Sequence, residues 1–146
     1  MNLLSTEYSL KNKAFEIYLS GCSAPHCKNC HNPESWNFDS GIKIDYCISD
    51  IINKINEFDY LIDNIWILGG EPLDQVKDDL IWLLDRLKET NKNIWLWTRY
   101  EFNEIDLDIL EYCDYVKCGK YIDNNSSYMT EYGFELASSN QRLFKL

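Results

Sequence analysis

"NIWILGGEPLDQVKDDLIWLLDRLKETNKNIWLWT", residues 64–98, holds two apolar runs with an amphipathic segment between them, and the fold follows from how it is read. Ile65 to Leu68 is continuously apolar, the pattern of a strand covered on both faces, and Gly69-Gly70 ends it. Val76, Leu80, Leu83, Leu84 and Leu87 then fall on one stripe at helical spacing, with Asp74 placed to cap the helix start. "NIWLWT", residues 93–98, is the next strand. The unit is therefore strand, helix, strand.

The same alternation continues outward in both directions. Upstream, "AFEIYLSG" (14–21) reads as a strand running into a cysteine-rich loop, and Ile48, Ile51, Ile52 and Ile55 mark a helix within 44–58. Downstream, "FNEIDLDILEYC" (102–113) reads as a helix, "YVKCGKY" (115–121) as a short strand and "NQRLFKL" (140–146) as one more strand. Strands alternating with helices argue for a parallel sheet built of βαβ crossovers. A closed eight-unit barrel takes about 250 residues, whereas this chain has room for about four or five units. The 146 residues are thus expected to form a single domain, 1–146, of α/β class, an open partial (β/α) barrel with a mostly parallel sheet.

Chemistry in such sheets collects at the C-terminal ends of the strands. Three of those ends carry unusual sequence: "SGCSAPHCKNC" (20–30), "GGEP" (69–72) and "TRY" (98–100). They are expected to converge. In the first, Cys22, Cys27 and Cys30 crowd into one loop with the spacing C-x4-C-x2-C. Three thiolates can hold three irons of a cubane cluster and leave the fourth iron open to another ligand. The alternative is a zinc site completed by His26 or His31, since Cys3His is a common structural set. Under the cluster reading, His31 packs against the cluster and His26 lies in solvent. Cys47 is read as a small apolar helix residue. Cys113 and Cys118 are read as semi-buried thiols, with a second metal pair as the alternative, because two cysteines alone do not close a tetrahedral zinc site.

A net charge of −10 with no basic stripe argues against nucleic acid as a partner. The first residues lack the apolar core of a secretory signal, and no apolar run approaches a membrane span, so a cytoplasmic protein with reduced thiols is expected.

Taken together, "GCSAPHCKNCHNPESWNF" (21–38) and "WILGGEPLDQ" (66–75) resemble the radical S-adenosylmethionine superfamily and, within it, the activating enzymes of anaerobic ribonucleoside-triphosphate reductases. "WLWTRYEFNEI", "YVKCGKYID" and "SSNQRLFKL" extend the likeness over nearly the whole chain. The resemblance implies a truncated radical-S-adenosylmethionine fold in which Cys22, Cys27 and Cys30 ligate a 4Fe–4S cluster whose open iron is chelated by S-adenosylmethionine. It further implies that Gly69 and Gly70 allow close approach of backbone to the methionine moiety and that Glu71 helps hold its ammonium group. Asn29 and His31 would flank the adenine or methionine portion, Thr98 would be a further cofactor contact, and Asn140 is a weaker candidate whose structural reading is capping of the chain end. The implied reaction is reductive cleavage to a 5′-deoxyadenosyl radical, which abstracts hydrogen from a glycine of the large reductase subunit. The electron would come from a reduced flavodoxin or ferredoxin-type donor.

Two positions depart from the family pattern. The usual spacing is C-x3-C-x2-C, one residue shorter between the first two cysteines. The usual "TGY" is "TRY" here, and Arg99 is expected to lie in solvent, with pairing to a carboxylate as the alternative. Two other functions stay open at this point. One is an activating enzyme for another glycyl-radical enzyme, such as formate acetyltransferase, and the other is a non-catalytic zinc-binding interaction module.

Overall fold

The computed structural model describes residues 1–123 and 126–146. Its strands are β1 (Asn2–Ser9), β2 (Ala14–Ser20), β3 (Ile42–Lys43), β4 (Asn64–Gly69), β5 (Asn93–Trp97), β6 (Tyr115–Cys118), β7 (Tyr128–Met129), β8 (Glu135–Leu136) and β9 (Arg142–Lys145). The helices α1 (Ile48–Glu57), α2 (Lys77–Lys88) and α3 (Leu107–Leu110) fall between β3 and β4, β4 and β5, and β5 and β6.

Seven strands form one sheet in the order β3-β1-β2-β4-β5-β6-β9. The central neighbours β2, β4, β5 and β6 run parallel, as expected where helices cross from one strand end back to the next strand start. β1 and β3 are antiparallel on one side and β9 is antiparallel to β6 on the other. The class is α/β, with a mixed sheet that is parallel at its centre.

Both sheet faces are covered, which explains the uninterrupted apolar runs of β4 and β5. Phe15, Ile17, Leu19, Ile65, Ile67, Ile94 and Leu96 belong to one core with the isoleucines of α1, the leucines of α2 and Ile109 of α3. On the other side, Ala14, Trp66 and Trp95 cluster with Leu68, Trp97, Tyr115, Phe134 and Leu143. Trp95 stacks on Tyr115 at 4.0 Å, and Phe134, from the loop between β7 and β8, lies 4.6 Å from the same indole. Each fully buried side chain of this size contributes about 1.5–3 kcal/mol, so the two layers together hold the sheet. Among the described residues, no helix is long and apolar enough to cross a membrane.

Two helix expectations need correction. The segment from Leu73 does not enter α2 directly: Pro72–Asp74 forms a separate 3-10 turn, and α2 starts only after Val76, which supplies no side-chain cap. Asp74 is therefore not the helix cap, because the turn closed by Pro72 diverts it elsewhere. Likewise 102–113 divides into a 3-10 turn at Phe102–Glu104 and the short α3, whose start is capped by Asp106 accepting from the Asp108 N–H at 3.2 Å. β1 was not foreshadowed by the sequence pattern, since its residues are half-buried or exposed along both faces.

Candidate active site

The exits of β2 and β4 are joined by backbone hydrogen bonds. The Gly70 N–H donates to the Leu19 carbonyl at 2.7 Å and the Glu71 N–H to the Gly21 carbonyl at 2.8 Å. Gly69 sits at φ +112°, and a Cβ there would lie 2.4 Å from the Leu19 oxygen, while one on Gly70 would lie 2.2 Å from the Gly21 oxygen. The Gly-Gly pair is thus required by the approach of two main chains, which brings the cysteine loop against the GGEP turn. Gly21 and Cys22 are then tied to the loop's far end, their N–H groups donating to Ser35 and Trp36 carbonyls.

Cys22, Cys27 and Cys30 line one pocket of about 300 Å³ together with Gly69, Gly70, Glu71, Thr98, Arg99 and His31. The three strand ends singled out in the sequence therefore do converge. Among the described residues, no three His, Cys, Asp or Glu side chains form a group that could hold one metal ion. Burial pushes the Cys22 thiol up to about 11, with the Arg99 charge pulling in the other direction. A bound cation displaces such a proton, because it stabilises the thiolate.

Several side chains are committed in ways their sequence positions did not reveal. Glu71 is buried, and its carboxylate accepts from the Thr98 hydroxyl at 2.6 Å, the Leu73 N–H at 3.0 Å and the Arg99 N–H at 2.8 Å. Burial raises its pKa, and those three donors oppose the rise. Thr98 is likewise buried, its hydroxyl donating to Glu71 and accepting from the Tyr100 N–H at 3.1 Å. Asn29 takes a left-handed turn at φ +54° between the second and third cysteines, and its amide donates to Asp123 at 2.7 Å on the exposed side of the loop. His31 is on the pocket wall with its ring 4.8 Å from Tyr121. His26 is not in solvent, because its ring stacks flat on Trp36 at 3.9 Å and its Nε2 lies 2.9 Å from the Cys22 carbonyl. Asn140 donates to the Lys120 carbonyl at 2.8 Å, pinning the turn before β9 to the exit of β6. Cys113 and Cys118 are buried in the helix-side core, and Cys47 is half-buried beside it.

Arg99 also departs from expectation. Its side chain is 15 % exposed and lies 3.0 Å from an Asp74 carboxylate that is only 5 % exposed. Desolvation of a guanidinium this deep is offset by the two carboxylates, Asp74 and Glu71, that flank it.

Lys117 is the site residue that the sequence reading missed. It lies on β6 between buried neighbours, lines the pocket, and donates from Nζ to the carbonyl of Gly119 at 3.0 Å and that of Thr98 at 3.4 Å. A lysine inside an otherwise apolar central strand was the available signal. Burial lowers its pKa from 10.5 to about 8, with Glu71 opposing the fall. Between about pH 8 and 10.5 the unfolded chain still holds this proton and the folded chain has shed it, so stability rises with pH across that window. Urea unfolding of metal-free wild type and Lys117→Met under reductant should show the wild type gaining about 3 kcal/mol relative to the variant from pH 8 to 10.5. Parallel profiles would show that Lys117 titrates normally.

The family described as "4Fe-4S single cluster domain" matches residues 13–144. An anaerobic ribonucleoside-triphosphate reductase-activating protein of Haemophilus influenzae is 31% identical over 117 residues, 75% of this chain and 75% of the relative. Its namesakes in Enterobacteria phage T4 and Escherichia coli are each 29% identical, the first over 88% of this chain and 81% of the relative, the second over 74% of both. A three-cysteine loop zipped to a Gly-Gly-Glu turn thus sits inside the matched region, and the chain belongs to the 4Fe-4S single cluster domain family and, within it, to the anaerobic ribonucleoside-triphosphate reductase-activating proteins.

Proposed function

We propose that this chain activates the large subunit of an anaerobic ribonucleoside-triphosphate reductase by radical S-adenosylmethionine chemistry in a partial barrel. Cys22, Cys27 and Cys30 would hold a 4Fe–4S cluster, and S-adenosylmethionine would occupy the pocket beside it. The observation that carries this reading is the backbone junction of β2 and β4, which sets all three thiols and the Gly69-Gly70-Glu71 turn on one pocket. Three thiols on one pocket can hold three irons of a cubane cluster and leave the fourth open to another ligand. His26, already stacked on Trp36 and set against the Cys22 carbonyl, is poorly placed to complete a zinc site.

The chemistry such a bound pair supplies is reductive cleavage of the sulfonium and removal of a hydrogen atom from a glycine Cα of the partner. The protein's part is to bind, orient and exclude competitors. Gly69, Gly70 and His31 present the face against which the methionine and adenine portions would lie. Glu71 and Thr98 act from within the wall: their mutual hydrogen bond fixes the turn and keeps negative charge near the ammonium group. Asn29 holds the ligand loop through Asp123. Lys117 offers a cation beside Thr98, its Nζ donating to that residue's carbonyl at 3.4 Å. The electron would come from a reduced flavodoxin or ferredoxin-type donor.

Anaerobic reconstitution with iron and sulfide should give a brown protein that, once reduced, converts S-adenosylmethionine to 5′-deoxyadenosine. Mixed with the reductase large subunit, it should produce a glycyl radical visible by electron paramagnetic resonance, and with formate acetyltransferase it should not. A colourless protein holding one tight zinc would refute the proposal.

A further inference from the structure

The two departures from the family pattern touch each other. Arg99, standing where the family has glycine, donates from Nη1 to the carbonyl of Pro25 at 2.8 Å, within the longer first spacer of the cysteine loop. Its Nη2 donates to Asp74 Oδ2 at 3.0 Å. The same Asp74 oxygen accepts the N–H of Ser23 at 2.6 Å, and Oδ1 accepts the Tyr100 hydroxyl at 2.6 Å. Both ends of the Ser23–Pro25 stretch are therefore gripped by one half-buried ion pair, Asp74 from the turn after β4 and Arg99 from the exit of β5.

An added residue between two ligands adds backbone freedom that must be frozen before the thiols can hold a fixed separation. A guanidinium suits that task, because its planar fork directs two donors at fixed angles, whereas an ammonium is a single point of charge. Glu71 completes the arrangement by accepting the Arg99 backbone N–H at 2.8 Å, which fixes where the side chain begins.

We propose that Asp74 and Arg99 form a clamp that fixes the Cys22–Cys27 spacer, so that the lengthened loop presents its first two thiolates at the separation a cluster needs. Arg99 is a positioning residue here, acting through Ser23 and Pro25. The inference rests on the three-cysteine reading, and the test separates the two.

The measurement is amide hydrogen exchange of the metal-free, reduced protein, followed by mass spectrometry, for wild type, Arg99→Lys and Arg99→Gly. Peptides covering 22–27 should exchange about tenfold faster in both variants, because a charge-assisted bond to the loop is lost in each. Peptides of α1 should be unchanged. After reconstitution, iron should leave to a chelator faster by a similar factor in both variants. Exchange over 22–27 within twofold of wild type in Arg99→Lys would overturn the clamp. So would wild-type behaviour in Arg99→Lys with loosening only in Arg99→Gly, since charge alone would then suffice. Equal acceleration in α1 would also overturn it, by showing general destabilisation. If wild type binds no iron while the exchange pattern holds, the cluster assignment fails and the clamp stands.

Discussion

Cys30→Ala should abolish both cluster binding and S-adenosylmethionine cleavage, while Cys47→Ala leaves both intact. Cys30 closes the loop: its N–H donates to the Cys27 carbonyl at 3.2 Å, and Asn29 adopts the left-handed turn that points the two thiols into one pocket. Removing one of three thiolates leaves a second corner of a cubane without a protein ligand, and the site then has too few bonds to retain iron. Cys47 lies outside the pocket, its thiol facing the carbonyls of Lys43 and Ile44 before α1. Iron content and the visible absorption of the reconstituted proteins read the outcome directly. Full iron loading of Cys30→Ala would remove that residue from the ligand set.

Glu71→Leu should cost roughly 4 kcal/mol or more of folding stability, and Glu71→Gln clearly less. The carboxylate serves three donors, from Thr98, Leu73 and Arg99, in a place with almost no solvent. Leucine fills a similar volume and leaves all three unpaired, at about 1–3 kcal/mol each. It also strips the Arg99 guanidinium of one flanking carboxylate. Glutamine keeps one acceptor oxygen but turns an N–H2 toward a donor. For a domain of ordinary stability, about 5–15 kcal/mol, the leucine variant would lose much of its margin. Urea denaturation of the metal-free proteins measures both values. A leucine variant as stable as wild type would show that the carboxylate is not a hub of the fold.

The parts of the fold legible in the sequence were those whose pattern repeats over many residues. Ile65–Leu68 and the leucine stripe of α2 were readable because burial on two faces and on one stripe leave different periodicities. β1 left no such mark, since a half-exposed strand flanked on its outer side only by the two-residue β3 mixes polar and apolar residues without order. At the site, the three cysteines and the Gly-Gly-Glu turn stood out by residue type. The roles of Arg99, Asp74 and Lys117 did not, because the usual place of a charged side chain is solvent and only the partner that meets it in space reverses this. Arg99 meets Asp74 across a separation of 25 residues, and Lys117 reaches the Thr98 carbonyl across 19. The glycines were noticed for their freedom next to a ligand, whereas the closest atoms they accommodate belong to the neighbouring strand exit.

The pocket's walls come from distant parts of the chain: Tyr18 and the cysteines at one end, and Leu136, Ala137 and Gln141 near the other. During translation at about 5–20 residues per second, the thiols leave the ribosome on the order of ten seconds before Gln141 is made. For that interval the nascent loop has no far wall, and any soft metal or oxidant can reach it. The pocket that the three thiols line is therefore complete only once the residues just before β9 have been made.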